Sequence, residues 1–410
     1  MPGPSVNTQP DTPRFETHYA EAVFALRAAL IEVYQSVGAD SSSPREAART
    51  LGIDKNLTWK LGRIINEPAI ERVASSIPGA SAVQLATDAF ARAGVDPELV
   101  ARVTEAFNEF DHMVEIHTGG REALDLLLDS MAFSGVDQLV KSRKLAFRGN
   151  SGIWGAQARL RLLTSFLAPN SENPDLLDYA QIGGYADLQR LRSDGVWPLF
   201  RFRYFNDDGS KFADPGVRSL TDDFDPSTPH LLNSFSSGLK PDIRCKVVNS
   251  GLLYELNGGP VGRTGNCSVF YAYGDSTPSL SRYRDEHNEV GEALCLINLP
   301  VELLLMDLVV HRDIAEQISP EVAIYGRASG ELNEHEHRDR RFELPVSESL
   351  KSLGQHPMLA APQVPRYMDL LSLAFDRYGY DPKDFVAWRL ALPYPPLTST
   401  VSIRFELPSK

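Results

Sequence analysis

The residues best suited to gripping a metal lie in Glu331-Leu-Asn-Glu-His335-Glu-His337-Arg-Asp-Arg-Arg341. In an extended strand His335 and His337 point the same way and can share a borderline cation such as zinc. A charged surface loop or edge strand explains the same residues as well, so no metal is expected there. His112 and His117, five apart on a helix, diverge by about 140° and cannot share an ion. Other fragments imitate catalytic motifs and fail at one position. Asn257-Gly-Gly-Pro-Val-Gly-Arg-Thr-Gly265 has Asn and Arg where a phosphate loop needs Gly and Lys, and reads as a glycine-rich hairpin turn. His311-Arg312-Asp313 is followed by Ile318 where a kinase catalytic loop requires a magnesium-binding Asn. Gly149-Asn-Ser151-Gly-Ile153 puts Ile where a nucleophile elbow needs its last Gly, and reads as a tight turn anchored by a buried Trp154. Asp222-Asp223-x-Asp225 lacks the spaced ligands of a calcium loop and reads as a solvated turn. No catalytic residue and no cofactor follows from this inventory.

Residues 43–64 are more informative. Ser43 and Glu46 have capping-box spacing and Pro44 falls at the first helical position. The helix they open presents Ala47, Ala48 and Leu51 inward, small enough for a second helix to cross closely. Gly52 breaks it with a residue that tolerates left-handed angles, Ile53 plugs the turn, and Asp54 or Asn56 can cap the next helix. That helix buries Leu57, Leu61 and Ile64 at i, i+4 and i+7. Ala-Ala-x-x-Leu-Gly-Ile with Leu61 downstream resembles the helix-turn-helix of bacterial transcriptional regulators. The resemblance covers about 22 residues. It departs from the pattern at Thr58, where Val or Ile is usual, and at Gly62, which costs about 1 kcal/mol inside a helix.

In such regulators the second helix enters the major groove and the first crosses the backbone. Carried onto this chain, the second helix offers Lys55, Asn56, Thr58, Trp59, Lys60 and Arg63 to DNA, while Arg45 and Arg49 meet phosphates. The window holds five basic and two acidic residues, a balance of +3 in a chain of net charge −13. Double-stranded DNA is thus the expected partner through a local cationic face, not through the whole surface. The family also implies a homo-oligomer and a small-molecule effector.

Elements around the motif follow from local signals. Residues 16–145 read as helices: Tyr19–Leu30 before Gly38, a helix begun by Asp96-Pro97-Glu98 and running through Phe110 toward Gly119, and another from Arg121 to about Met131. Beyond about 145 the texture is of strands and turns. Trp197–Phe205 before Asn206-Asp207-Asp208-Gly209, then 246–248, 252–256, 268–273 and 401–407 read as strands, with helices near 283–297 and 366–378. The expected organisation is α+β: a tail over 1–15, a helix-turn-helix domain over 16–68, a helical connector over 69–145 and an α+β sensor or oligomerisation domain over 146–410.

Hydrophobic residues at 42% and charged ones at 23% are ordinary for a globular chain. No apolar run reaches the roughly 18 residues of a membrane span. The opening MPGPSVNTQPDTPRF pairs no basic stretch with an apolar core, so a disordered tail is expected there rather than a secretory signal. Cys245, Cys267 and Cys295 are few and scattered, as in a reducing cytoplasm. The expectation is therefore a cytoplasmic DNA-binding transcription regulator. The alternatives are a self-assembling structural protein with an accessory helical domain, or an enzyme of unstated reaction housed in 146–410.

Overall fold

The computed structural model describes residues 14–131, 136–202, 217–222, 225–238, 243–248, 251–275, 278–326 and 343–410. His335, His337 and the Asn206–Gly209 turn lie outside them. The class is α+β: helices first, then a larger sheet-rich part. The chain divides into two compact units at 135/136, about ten residues before the expected boundary.

Unit 1 is helical: α1 (Phe15–Ser36), α2 (Pro44–Leu51), α3 (Lys55–Asn66), α4 (Ala80–Arg92), α5 (Pro97–Thr118) and α6 (Arg121–Met131). The side chain of Asp96 accepts from the N–H of Glu98 to start α5, and Gly119 ends it at φ 67°. One apolar core runs through these helices. Leu26 and Leu30 of α1, Leu61 and Ile64 of α3, Phe90 of α4, Phe110 of α5 and Leu124 of α6 all belong to it. The segments 16–68 and 69–131 therefore share a single core rather than forming a domain and a connector.

Unit 2 opens with α7 (Val136–Trp154), which enters β1 (Ala156–Pro169) through Gly155 at φ 72°. The expected turn over 149–155 is mostly helix. Half-buried Trp154 is its last residue, and its carbonyl accepts from the Arg192 guanidinium at 3.0 Å and from the Trp197 indole at 2.8 Å. Those donors satisfy a helix end that lacks an internal partner.

Among the described residues the main sheet has nine strands. β1 pairs antiparallel with β2 (Leu176–Arg190) and parallel with β11 (Val301–His311). β3 (Val196–Phe202), β6 (Ile243–Val248) and β7 (Gly251–Asn257) form a separate sheet in the order β3-β7-β6. Beyond β2 the main sheet continues to β8 (Cys267–Asp275) and β4 (Val217–Ser219), with β5 (Ser237–Gly238) and β9 (Leu280–Ser281) attached to β8 and β2. Beyond β11 lie β14 (Phe385–Pro393) and β13 (Lys351–Gln355). A third sheet has the order β10-β15-β12, formed by Val290–Leu296, Thr400–Glu406 and Glu321–Tyr325. The short α8 (Arg312–Ala315) follows β11, and α9 (Tyr367–Tyr378) shares one apolar core with Leu160, Leu162 and Phe166 of β1, its Phe375 ring 5.4 Å from that of Phe166.

Two expectations fail here. Residues 290–296 are strand, not helix, because Ala293 and Cys295 alternate inward at period two and continue that rhythm to Ile297. The glycine-rich stretch 257–265 is no hairpin: it carries the chain from β7 in one sheet to β8 in another. His311 ends β11 and caps α8, its Nδ1 accepting from Asp313 N–H at 3.3 Å.

Candidate nucleic-acid interface

α2 forms as its residues dictate, with one exception. Pro44 occupies the first helical position, Ala47 and Leu51 are buried, and Gly52 closes the helix at φ 65°. Ser43 makes no side-chain capping bond, so the capping-box expectation is not met. Proline at the first turn and the buried Ala47–Leu51 stripe hold α2 without it. Asp54 caps α3, its Oδ1 accepting from the Asn56 N–H at 2.8 Å.

Thr58 is a correction. It is 1% exposed, and its hydroxyl donates to the Asp54 carbonyl at 2.9 Å, so it cannot contact a base edge. It fills the core-facing position where Val or Ile was expected, and returning its hydroxyl to the preceding turn is how a threonine does so without an orphaned polar group. Gly62 is also buried on that side.

The other predicted contacts of α3 come together. At about 100° per residue, Lys55, Asn56, Trp59, Lys60, Arg63 and Asn66 share one arc of about 140°. Lys55, Asn56, Trp59, Lys60 and Asn66 are exposed, and none of the six is acidic. Asn66 was not anticipated; it faces outward while its amide donates to the Ser41 carbonyl at 3.1 Å. Lys55 sits in the first turn, where a cation opposes the helix dipole, a cost that a nearby anion would remove. Arg45 and Arg49 are exposed on α2. Neither they nor Lys55 and Lys60 form an ion pair among the described residues.

Arg63 differs from the other cations. Its side chain is 35% exposed, its Nη2 lies 3.3 Å from Glu67 Oε2, and its guanidinium stacks 5.3 Å from the Trp59 ring centroid. It is a held cation rather than a loose one. Trp59 remains 49% exposed, a large apolar group set among donors. Behind this face, Arg27 of α1 donates to the carbonyls of Ile64 at 2.9 Å and Glu67 at 2.6 Å. Elsewhere in unit 1, His18 Nδ1 lies 3.0 Å from His117 Nε2, a pairing across 99 residues. Burial and the neighbouring His18 depress the His117 pKa.

Unit 2 concentrates its polar groups inside. Arg161 is buried, donates to the carbonyls of Leu162 at 2.6 Å and Gly184 at 3.2 Å and to the Tyr271 hydroxyl at 3.2 Å, and lies among the rings of Tyr185, Phe200 and Tyr271. Burial raises the pKa of Tyr185 and Tyr271 against the lowering effect of Arg161, so both stay phenols near neutrality. It likewise raises the thiols of Cys267 and Cys295, which leaves them poor nucleophiles. A groove of ≈ 480 Å³ crosses the β10-β15-β12 sheet, lined in part by Glu292, Glu321, Tyr325 and Arg404. Arg404 is already bonded there to Glu321 at 2.6 Å and to the Tyr325 hydroxyl at 2.7 Å.

Among the described residues no set of three His, Cys, Asp or Glu side chains is placed to hold a metal, and no helix is long and apolar enough to cross a membrane. Compared with protein-family models, curated proteins and solved structures, the chain shows no significant match.

Proposed function

We propose that the chain binds double-stranded DNA through α2 and α3 and acts as a transcription regulator. One observation carries this reading: the outward arc of α3 presents Lys55 and Lys60 unpaired among the described residues, Arg63 held by Glu67 just beyond the helix, two amides and an indole, in a chain of net charge −13. Cations there displace counterions condensed on the duplex, and Asn56 and Lys60 have the donors that read base edges in the major groove. Arg45 and Arg49 on α2 then rest on phosphates. Thr58 takes no part.

The reading carries oligomerisation with it, because one short helix in one groove gives modest affinity and two half-sites multiply it. Anisotropy of a labelled duplex at about 50 and about 200 mM salt tests the proposal, comparing wild type with Lys55→Ala/Lys60→Ala. Weaker binding and a salt slope reduced by about two contacts support it. Equal binding and equal slope would remove α3 as the interface.

A further inference from the structure

We infer that Arg27, on α1 and outside the helix-turn-helix, is a positioning residue that fixes the DNA-facing edge of α3. The inference rests on the DNA-binding reading of that face.

The last carbonyls of any helix lack internal partners and carry its negative dipole end. α3 stops at Asn66, and Glu67 turns extended at φ −71°, ψ 117° without the left-handed glycine that closes α2 and α5. Arg27 supplies what that ending lacks. Its Nε donates to the Ile64 carbonyl and its Nη2 to the Glu67 carbonyl, at 2.9 and 2.6 Å, spanning the last turn with one rigid fork. Its backbone cannot drift, because Leu26 and Leu30 beside it on α1 are wholly buried in the same core.

The turn so held carries Arg63 and Asn66, two of the six outward residues. Arg27 itself is half-buried and spends two donors on carbonyls, so its contribution to binding runs through α3 rather than through a phosphate. A lysine brings the charge but a single point of attachment, and cannot reach both carbonyls in a fixed geometry.

Arg27→Ala and Arg27→Lys in the full chain test the inference with two readouts. Hydrogen exchange of the backbone amides over 64–69 reports the clamp without any DNA present. Anisotropy with a labelled duplex reports binding and its salt dependence. Arg27→Ala is expected to speed exchange over 64–69 and weaken binding about tenfold with the salt slope unchanged, and Arg27→Lys to fall between. A slope reduced by about 0.9 would make Arg27 a phosphate contact and overturn the inference. Faster exchange with undiminished binding overturns it equally. If wild type binds no duplex, the DNA reading itself fails, and exchange alone then shows whether the clamp exists. Should Arg27→Ala not fold, Arg27→Gln, which keeps a donor for one carbonyl, answers the same questions.

Discussion

Gly62 lies so close to Ser41 that a Cβ on it would stand 2.7 Å from the Ser41 carbonyl oxygen. The glycine that looked like a weakness in α3 is what lets the helix pass under the segment leading into α2. The same carbonyl accepts from Asn66 at 3.1 Å, so the approach is bonded as well as tight. Gly62→Ala sets a gain in helix propensity of about 1 kcal/mol against overpacking of about 1–3 kcal/mol. The obstacle is backbone and cannot swing away, so the steric cost wins. We expect a net loss, of up to about 2 kcal/mol, in denaturant unfolding. A variant as stable as wild type would show that the two segments separate easily.

Glu67 keeps Arg63 occupied. The pair is i, i+4 on partly covered side chains, with Glu67 18% exposed, and Glu67 also accepts from the Ala69 N–H at 3.3 Å. On the DNA-binding reading, Arg63 must leave Glu67 or share its charge before it can neutralise a phosphate. Glu67→Gln keeps the acceptor for Ala69 and removes the competing charge. Duplex affinity is then expected to rise several-fold with a steeper salt dependence, because one more cation becomes available. The pair itself is worth under about 1 kcal/mol, so the fold should tolerate the change. Affinity that stays level or drops would show that Arg63 faces no phosphate.

Local signals in the sequence sufficed where an element is set by its own ends. Asp96-Pro97 with Gly119 and Pro44 with Gly52 mark α5 and α2 in advance, and each glycine is left-handed in the fold. What was hidden depends on distant chain. The expected helix over 283–297 fails because the 290–296 stretch becomes a strand by pairing with β15, more than a hundred residues downstream. The central β1 is buried on both faces, which erases the alternation that betrays a half-exposed strand. At the candidate interface, the cations of α3 were readable from charge alone. Thr58 carries two opposed signals, a polar type that suits the surface and a place where the resembling regulators carry Val or Ile, and its hydroxyl bond to Asp54 O puts it in the core. Arg27 was invisible for a different reason. Its partners are main-chain carbonyls 37 and 40 residues away, and carbonyls leave no mark in a sequence.

Asp307 of β11 is the buried charge on which one face of the main sheet depends. Its side chain is fully covered, and Arg389 of β14 meets it with Nε and Nη2 at 2.7 Å each. The Tyr367 hydroxyl donates to the same carboxylate, which only accepts, so the 2.6 Å contact between Thr164 and Tyr367 must be donated by Thr164. Arg389→Ala leaves that carboxylate buried with one neutral donor and should cost about 3–5 kcal/mol in urea unfolding of unit 2. Replacing both ends, as Asp307→Leu/Arg389→Met, removes the stranded charge and should recover much of the loss. If the double variant is no better than Arg389→Ala, the network contributes through packing, not through charge.

Acid should weaken unit 2 through His230. This imidazole is 3% exposed among the rings of Tyr254 and Tyr273, and burial lowers its pKa from 6.5 to about 4. Between those two values the unfolded chain holds a proton that the folded one refuses. Stability contributed by the neutral ring is therefore complete above about pH 6.5, falls as pH drops, and is gone below about pH 4. A shift of this size corresponds to about 3 kcal/mol in all. His230→Phe keeps an aromatic ring and removes the proton. Urea unfolding of the two proteins at pH 7, 5 and 4 should show wild type losing ground to the variant as pH falls. Carboxylates that lose protons on folding lower both curves together, so only the gap between them reports on His230. A constant gap would mean that the ring is protonated inside the fold, or that the interior admits water to it.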